Sequence, residues 1–146
     1  MTIVRMEQRH VPQIAAMERQ YFSAPWDEDS VLSELSNDLS YWLVAEEGDV
    51  VAGYIGSQTV LGESDMMNLA VRKDYQRQGI GEALVLNLIE GLKEKGSRCL
   101  TLEVRASNTP AKRLYEKLGF QKVGCRKNYY RTPKEDGDIL RKEWEP

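Results

Sequence analysis

Apolar side chains recur along the chain with two different periods, and the change of period separates predicted helices from predicted strands. Near the N-terminus they are spaced three or four positions apart, which predicts one face of a helix that has Pro12 in its first turn. The residues of that face are Val11, Ile14, Met17, Tyr21 and Phe22. A second, short helix is predicted after Asp27, which suits an N-cap position.

From Tyr41 onwards, short apolar runs alternate with turn residues, which is typical of strands joined by hairpins. Together with a first strand near the N-terminus, the strands predicted in the first half of the chain are residues 3–6, 41–45, 50–61 and 66–71. Tight turns at residues 46–49 and 62–65 make the last three of these strands antiparallel neighbours.

The second half alternates helices with strands. A helix is predicted over residues 82–95, because Leu84, Leu88 and Leu92 share one stripe and Gly96 supplies a stop signal. The remaining predicted elements are a strand at 99–104, a helix at 108–118, strands at 120–125 and 139–140, and a polar tail from 142 to 146. This order predicts an α/β fold with a mixed sheet, in which the strands at 66 and 99 are parallel neighbours.

The segment from Gln76 to Gly81, between a predicted strand and the helix after it, is rich in glycine. The backbone N–H groups of such a loop and the N-terminus of the following helix converge on one point, which favours a phosphate group. Gly79 and Gly81 let the backbone approach an anion with no Cβ in the way. A P-loop would need a Gly-Lys-Ser/Thr ending, and a dinucleotide fingerprint would need glycine where Gln76 stands. The alternative is a surface turn ahead of an amphipathic helix.

Composition narrows the class of protein. The 146 residues predict one domain over residues 1–146, and 41% hydrophobic with 29% charged residues is ordinary for a soluble globular chain. Because no apolar run reaches the length of a membrane span and no signal-peptide pattern begins the sequence, a cytoplasmic location is expected. Cys99 and Cys125 lack metal-ligand partners at short spacing, which predicts reduced thiols and no metal. A net charge of −3 disfavours direct nucleic-acid binding and is compatible with a basic acceptor.

Ligands of open α/β sheets bind beyond the carboxyl ends of strands, and two such ends converge here, at Val71 and at Glu103. Glu103 is an acidic residue in an apolar strand beside the predicted anion site. Equally, it can be an outward-facing residue that shares the polar face of an alternating strand with Thr101. Tyr115 shares a helical stripe with apolar residues, which favours a core aromatic, and Asn108 suits a helix cap.

Several segments together resemble the GCN5-related N-acetyltransferase (GNAT) family, whose pyrophosphate loop reads Q/R-x-x-G-x-G/A. The segments that carry the resemblance are residues 25–26, 68–71, 75–81, 102–108, 111, 114–120 and 126–130. Over nearly its full length the chain is similar to the RimI-type ribosomal-protein alanine N-acetyltransferases within this family. It departs from the pattern at Arg72-Lys73, where an acidic residue and proline are usual, and in a variable loop at 132–138.

The resemblance implies a mixed, mostly antiparallel sheet with a central splayed parallel pair and helices on both faces. It implies acetyl-CoA as co-substrate, with one strand pairing with the pantetheine arm, the glycine loop holding the pyrophosphate and Asn108 contacting the pantetheine region. The strand residues are Leu69, Ala70 and Val71, and the loop residues are Arg77, Gln78, Gly79, Ile80, Gly81 and Glu82. It further implies that Glu103 is the general base and Tyr115 the general acid for acetylation of an N-terminal alanine, with a small-subunit ribosomal protein as partner and no membrane.

Acid–base chemistry is consistent with this mechanism. A protein α-amine titrates near about 7.7–8.0 and a lysine amine near about 10.4, so only the α-amine is appreciably neutral at physiological pH. One carboxylate can remove its remaining proton before it attacks the thioester, a phenol can protonate the departing thiolate, and N–H groups at a strand bulge can stabilise the oxyanion. Two alternatives are a small-molecule or lysine acetyltransferase, which residues 126–130 argue against, and a non-catalytic CoA-binding module, which Glu103 and Tyr115 argue against.

Overall fold

Seven strands and four helices make up the computed structural model, which describes residues 1–144. The strands are β1 (Thr2–Arg5), β2 (Ser40–Glu47), β3 (Val50–Val60), β4 (Glu63–Val71), β5 (Cys99–Arg105), β6 (Gln121–Arg131) and β7 (Lys134–Glu143). The helices are α1 (Val11–Tyr21), α2 (Glu28–Ser33), α3 (Ile80–Glu94) and α4 (Thr109–Lys117), and short 3-10 turns lie at Gln8–His10, Glu34–Ser36 and Lys73–Tyr75.

Helices cover both faces of the sheet because successive strand side chains point to opposite faces. Along β2, Leu43 and Ala45 belong to the core cluster that includes α3 and Tyr115 of α4. Trp42 and Val44 point the other way, into the cluster formed with α1 and α2. The sheet therefore has a hydrophobic layer on each side, as the resemblance implied.

The strand order in the sheet is β1-β2-β3-β4-β5-β7-β6, and every neighbouring pair is antiparallel except β4 with β5. This order confirms the predicted mixed sheet and its single parallel pair. The parallel pairing is short, since it runs only from Glu63 opposite Cys99 to Asp65 opposite Thr101. Beyond these residues β4 and β5 separate, while each keeps its antiparallel partner on the other side.

A bulge in β4 accompanies this separation. Two residues of β4, Met67 and Asn68, lie opposite the single residue Gly56 of β3. Glycine is required at this position, because a Cβ on Gly56 would collide with the indole of Trp42 on the neighbouring strand. The bulge lies just before Leu69, in the strand where the sequence analysis places the oxyanion donors.

β4 begins earlier than predicted. Residues 63–65, predicted as part of a turn, pair with β3 on one side and β5 on the other, so that only Leu61-Gly62 forms the turn. Their polar composition suggested a turn, but pairing with a strand on each side overrides this local preference.

β6 and β7 form a hairpin that is longer than the strands predicted at 120–125 and 139–140. Residues 126–130 lie in β6, and most of the predicted loop at 132–138 lies in β7, which leaves Thr132-Pro133 as the turn. Side chains of β6 are mostly polar and exposed at the edge of the sheet, so no apolar run marks this strand. Two residues of the predicted polar tail, Lys142 and Glu143, are also part of β7, and 145–146 lie outside the described residues.

Among residues 1–144, none of the helices combines the length and the apolar character that crossing a membrane requires. Within the same residues, no three His, Cys, Asp or Glu side chains are grouped in a way that could hold a metal ion. Cys99 is buried and Cys125 is exposed, and both are free thiols.

An ion pair fastens α4 to the hairpin. The carboxylate of Asp138 on β7 lies 2.7 Å from the Nζ of Lys112 on α4 and 3.4 Å from the Nζ of Lys122 on β6. Asp138 is only 2% exposed. The hydrogen bond from Lys112 lowers the pKa of Asp138, although burial acts in the opposite direction.

We expect Asp138→Asn to destabilise the protein in a pH-dependent way, by on the order of 1–3 kcal/mol at neutral pH. Because folding lowers the pKa of Asp138, its stabilising effect is complete above the pKa of the unfolded chain, about 3.9, and is lost as the pH falls through the folded pKa. Urea unfolding at about pH 7 and about pH 3 should therefore show a large difference from wild type at the higher pH and a smaller one at the lower.

A suitable control is Glu90→Gln, which removes an exposed ion pair with Lys93 and should change stability little at either pH. An equal loss of stability for Asp138→Asn at both pH values would contradict the conclusion that the charge of Asp138 stabilises the protein by holding α4.

Candidate active site

The separation of β4 from β5 opens a cavity of about 820 Å³. Its walls come from the two separating strands, the end of α1 with the loop that follows it, α4 and β6. The residues that line it are Tyr21, Phe22, Trp26, Asp65, Met66, Met67, Asn68, Leu69, Thr101, Leu102, Glu103, Val104, Arg105, Asn108, Ala111, Leu114, Tyr115, Arg126, Tyr129 and Tyr130. Four predicted site residues therefore share one cavity, namely Leu69, Glu103, Asn108 and Tyr115.

Glu103 lies on β5 just past the point where β4 departs. It shares a face with Thr101, as an alternating strand requires, and both residues line the cavity. The Nε of Arg126 lies 3.2 Å from a Glu103 carboxylate oxygen, and the Glu103 side chain remains 23% exposed. Glu103 is thus both the polar residue of an alternating strand and a carboxylate that faces the cavity.

Tyr115 on α4 is 6% exposed and is positioned by apolar contacts. Its ring packs edge-on against Phe120 at 5.5 Å, and its hydroxyl lies 3.9 Å from the sulfur of Met66, close to the bulge of β4. Burial, assisted by the neighbouring Tyr130, raises the pKa of Tyr115 to about 12. Tyr115 is therefore a core aromatic, as its helical stripe predicts, and its phenol stays protonated at neutral pH beside the cavity.

Two adjacent tyrosines of β6 complete the wall above Glu103. The rings of Tyr129 and Tyr130 are 5.0 Å apart and nearly perpendicular, with Arg126 over the first and Arg105 over the second. A hydrogen bond to Glu103, followed by burial, raises the pKa of Tyr129. Burial and the charge of Glu103 raise the pKa of Tyr130 to about 12. Residues 126–130 carry part of the family resemblance, but neither tyrosine is among the predicted site residues.

Asp65 is a second carboxylate of the cavity that the sequence analysis missed. It lines the β4 side, and its backbone is in register with Thr101 of β5. Burial, followed by the charges of Glu103 and Glu63, raises the pKa of Asp65. It was assigned to a turn in the sequence analysis, and only the parallel register of β4 and β5 brings it to the cavity.

The glycine loop lies at the C-terminal end of β4, outside the residues that line the cavity. Leu69, Ala70 and Val71 pair with β3 on one side only, so their edge towards β5 lacks a strand partner among the described residues. The side-chain amide of Gln76 donates to the carbonyl of Val71 at 3.1 Å, which ties the loop back to the strand. Residues 76–79 are exposed, and α3 begins at Ile80.

Backbone geometry prepares this loop for an anion. Arg77 and Gly79 both have positive φ, at 65° and 77°. The first intrahelical hydrogen bond of α3 is the one from the N–H of Ala83 to the carbonyl of Gly79. The preceding N–H groups have no carbonyl of their own helix to donate to and point out of its N-terminus. A loop with such unpaired N–H groups is better suited to bind a phosphate group than an ordinary surface turn is.

Arg72, one of the two departures from the family pattern, secures the approach to the loop. Its Nε donates to the carbonyl of Val51 at 2.6 Å, and its guanidinium also reaches Gln13 on α1. The backbone N–H of Lys73 donates to the hydroxyl of Tyr21 at 3.0 Å. Arg72 and Lys73, which stand where an acidic residue and proline are usual, therefore hold the start of the loop by hydrogen bonds to β3 and α1.

Asn108 caps α4, since its side chain accepts a hydrogen bond from the N–H of Ala111 at 3.3 Å. This confirms the capping interpretation of the residue. Asn108 also lines the cavity, so its contact with pantetheine remains a prediction.

Residues 11–120 match the family model described as the acetyltransferase (GNAT) family. A relative from Escherichia coli strain K12, named ribosomal protein bS18-alanine N-acetyltransferase, is 39% identical over 141 residues, which cover 95% of this chain and 95% of the relative.

Solved structures give the same result. The crystal structure of the ribosomal-protein-S18-alanine N-acetyltransferase from Escherichia coli superposes with a TM-score of 0.87 at 36% identity, and the match covers 97% of this chain and 92% of that one. The crystal structure of Arabidopsis thaliana NAA60 in complex with acetyl-CoA superposes with a TM-score of 0.87 at 16% identity over 97% of each chain, which is a likeness of fold.

Proposed function

The chain belongs to the acetyltransferase (GNAT) family, and we propose that it transfers the acetyl group of acetyl-CoA to the N-terminal alanine of ribosomal protein bS18. The observation that carries the proposal is the cavity between β4 and β5, which is lined by Glu103, Tyr115 and Leu69 of the unpaired edge of β4. The bS18-alanine N-acetyltransferase of Escherichia coli supports the acceptor, because it aligns with 95% of this chain. Because this proposed acceptor belongs to the ribosome, we also propose that the reaction takes place in the cytoplasm. We further propose that residues 1–146 form a single acetyltransferase domain.

In this proposal the unpaired edge of Leu69, Ala70 and Val71 pairs with the amide groups of pantetheine, as an additional strand would. The backbone of the loop from Arg77 to Glu82 holds the pyrophosphate, and Asn108 contacts the pantetheine from the α4 side. The unpaired edge of β4 and the uncapped N-terminus of α3 both leave backbone hydrogen-bonding groups without partners. Acetyl-CoA supplies partners for both.

Glu103 acts as the general base. The acceptor is an α-amine, so only a modest shift of its ionisation equilibrium is needed to free the attacking nitrogen. The Glu103 carboxylate, held towards the cavity by Arg126 at 3.2 Å, takes the proton directly or through one water.

Tyr115 acts as the general acid. Its pKa of about 12 keeps the phenol protonated throughout the range in which the amine becomes free. It can therefore donate to the thiolate of CoA when the tetrahedral intermediate collapses, and the bulge at Met67 and Asn68 turns backbone N–H groups towards the oxyanion.

We expect Gly81→Val to weaken the binding of CoA by at least about tenfold, which corresponds to about 1.4 kcal/mol. A Cβ at Gly81 would meet only Val71 at 3.8 Å, so the fold should tolerate the branched side chain while the pyrophosphate does not. Calorimetric titration with CoA measures the affinity, and Gly81→Ala should fall between the variant and wild type. An unchanged affinity for Gly81→Val would remove the loop from the cofactor site.

We expect Glu103→Gln to reduce kcat by about 10²-fold or more near pH 6.5, where the acceptor amine is mostly protonated. Raising the pH supplies free amine without the base, so part of this loss should be recovered towards pH 9. Tyr115→Phe should reduce kcat at every pH in this range, because a phenol with a pKa of about 12 is protonated throughout it. Profiles of kcat against pH for both variants test the pair, and wild-type profiles for both would make the residues structural.

We expect an Ala-start peptide to be acetylated faster than a Leu-start peptide, and both faster than an internal lysine in an N-terminally blocked peptide. Freeing a lysine amine instead of an α-amine costs about 2.5 pKa units, or about 3.5 kcal/mol, well below both pKa values. A small first side chain also avoids crowding against Tyr129 and Tyr130 of the cavity wall. Initial rates on three charge-matched peptides measure the order. Fastest acetylation of the blocked peptide would reassign the protein to lysine or small amines.

A further inference from the structure

Glu18, in the middle of α1, is a fully buried carboxylate, with a relative exposure of 0%. Within residues 1–144 it forms no ion pair. It instead accepts hydrogen bonds from neutral groups of three separate segments. The donors are the backbone N–H of Trp26 at 3.0 Å, the side-chain amide of Asn68 at 2.8 and 3.0 Å, and the hydroxyl of Tyr54. Burying a carboxylate without hydrogen-bond donors is costly, and the three donors around Glu18 offset this cost.

Two of the three donors belong to residues that line the cavity. Trp26 lies in the loop after α1, and Asn68 is one of the two bulged residues of β4. Tyr54 is buried on β3 and does not line the cavity. One carboxylate thus joins the loop after α1 to the bulge of β4.

The bulge is the part of β4 whose orientation matters most for the proposed reaction, because the oxyanion donors are proposed to lie there. Opposite Gly56, two residues of β4 occupy the space of one, so the ladder with β3 is interrupted there. On the other side β5 has already departed, and the pairing between β4 and β5 ends at Asp65. Although β3 pairs with Met66 and Leu69 on either side of the bulge, Met67 and Asn68 themselves have no strand partner. The side-chain amide of Asn68, which donates to both carboxylate oxygens of Glu18, therefore supplies an anchor for the bulge.

We propose that Glu18 is a positioning residue for acetyl transfer, which holds the bulge of β4 and the loop at Trp26 in the geometry that the reaction requires. This inference rests on the proposed function for its kinetic consequence. Small displacements of groups around a reacting centre cost large factors in rate, so a loosened bulge lowers kcat even when the fold survives.

A matched control exists on the same side of the sheet. Glu34 is a buried carboxylate, 6% exposed, that also accepts from three neutral side chains, the Nε1 of Trp42, the Nε2 of Gln58 and the Nδ2 of Asn37. None of these residues lines the cavity between β4 and β5. Glu34→Gln therefore makes the same chemical change at a carboxylate that has no hydrogen bond to a residue lining the cavity, although its partner Trp42 packs edge-on against Trp26.

The experiment compares Glu18→Gln, Glu34→Gln and Asn68→Ala with wild type for thermal unfolding and for kinetics on an Ala-start peptide. We expect both Gln variants to lose thermal stability, but only Glu18→Gln to lose kcat, by about tenfold or more. Asn68→Ala, which removes one arm alone, should lose kcat similarly and serves if Glu18→Gln does not fold. In the double variant Glu18→Gln with Asn68→Ala, the losses should not multiply, because both act through one contact.

A drop in kcat that is equal for Glu34→Gln and Glu18→Gln, or fully multiplicative losses in the double variant, would overturn the proposal. A second measurement does not depend on the acceptor. Backbone amide resonances of Trp26 and of residues 67–70 should shift clearly more in Glu18→Gln, which removes a direct contact, than in Glu34→Gln, which reaches them only through Trp42. If wild type fails to acetylate the peptide, the proposed function fails, while unchanged resonances in Glu18→Gln would overturn the positioning role by themselves.

Discussion

A parallel strand pair that is hydrogen-bonded over only three residues governs this structure. β4 and β5 start together at Glu63 and Cys99 and part after Asp65 and Thr101, so the sheet is open at its centre. Backbone groups of a strand seek partners, and a gap inside a sheet leaves a row of them unpaired next to a hydrophobic core. The bulge opposite Gly56, the cavity and the free edge leading to the glycine loop are all parts of this one opening.

The opening also organises the charges. Asp65 and Glu103 face it from the two separating strands, and Arg126 and two tyrosines of β6 close over Glu103. Burial, followed by the charges of Glu103 and Glu63, raises the pKa of Asp65. Arg105 and Arg126 also line the cavity and balance the charges of Asp65 and Glu103. On the α4 side, burial keeps the phenol of Tyr115 in its protonated form, as its proposed role of general acid requires.

Features encoded by neighbouring residues could be predicted from the sequence. The order of elements, the parallel pair and the glycine loop follow from short patterns and strand topology, whereas the pairing of Glu103 with Tyr115 was implied only by the family resemblance. What the sequence analysis missed depends on partners that are distant along the chain. Asp65 falls in a segment predicted as a turn, and only its register with Thr101 brings it to the cavity. Glu18 was not singled out, because its partner Asn68 lies 50 positions away along the chain. The hairpin of β6 and β7 was underestimated because an exposed edge strand carries no apolar run to mark it.

The hairpin of β6 and β7 borders the proposed acceptor site and lies apart from the glycine loop that is proposed to bind CoA. Many enzymes combine these two tasks in one segment. The hairpin closes one end of the cavity from the far edge of the sheet, whereas the glycine loop follows β4 near the middle of the chain. The two segments share no strand, so substitutions in one leave the backbone of the other undisturbed. Over evolution, the sequence of the hairpin that borders the proposed acceptor site can change while the strand and loop proposed to bind CoA stay the same. A scaffold divided in this way can take on new protein targets through changes in a single exposed hairpin.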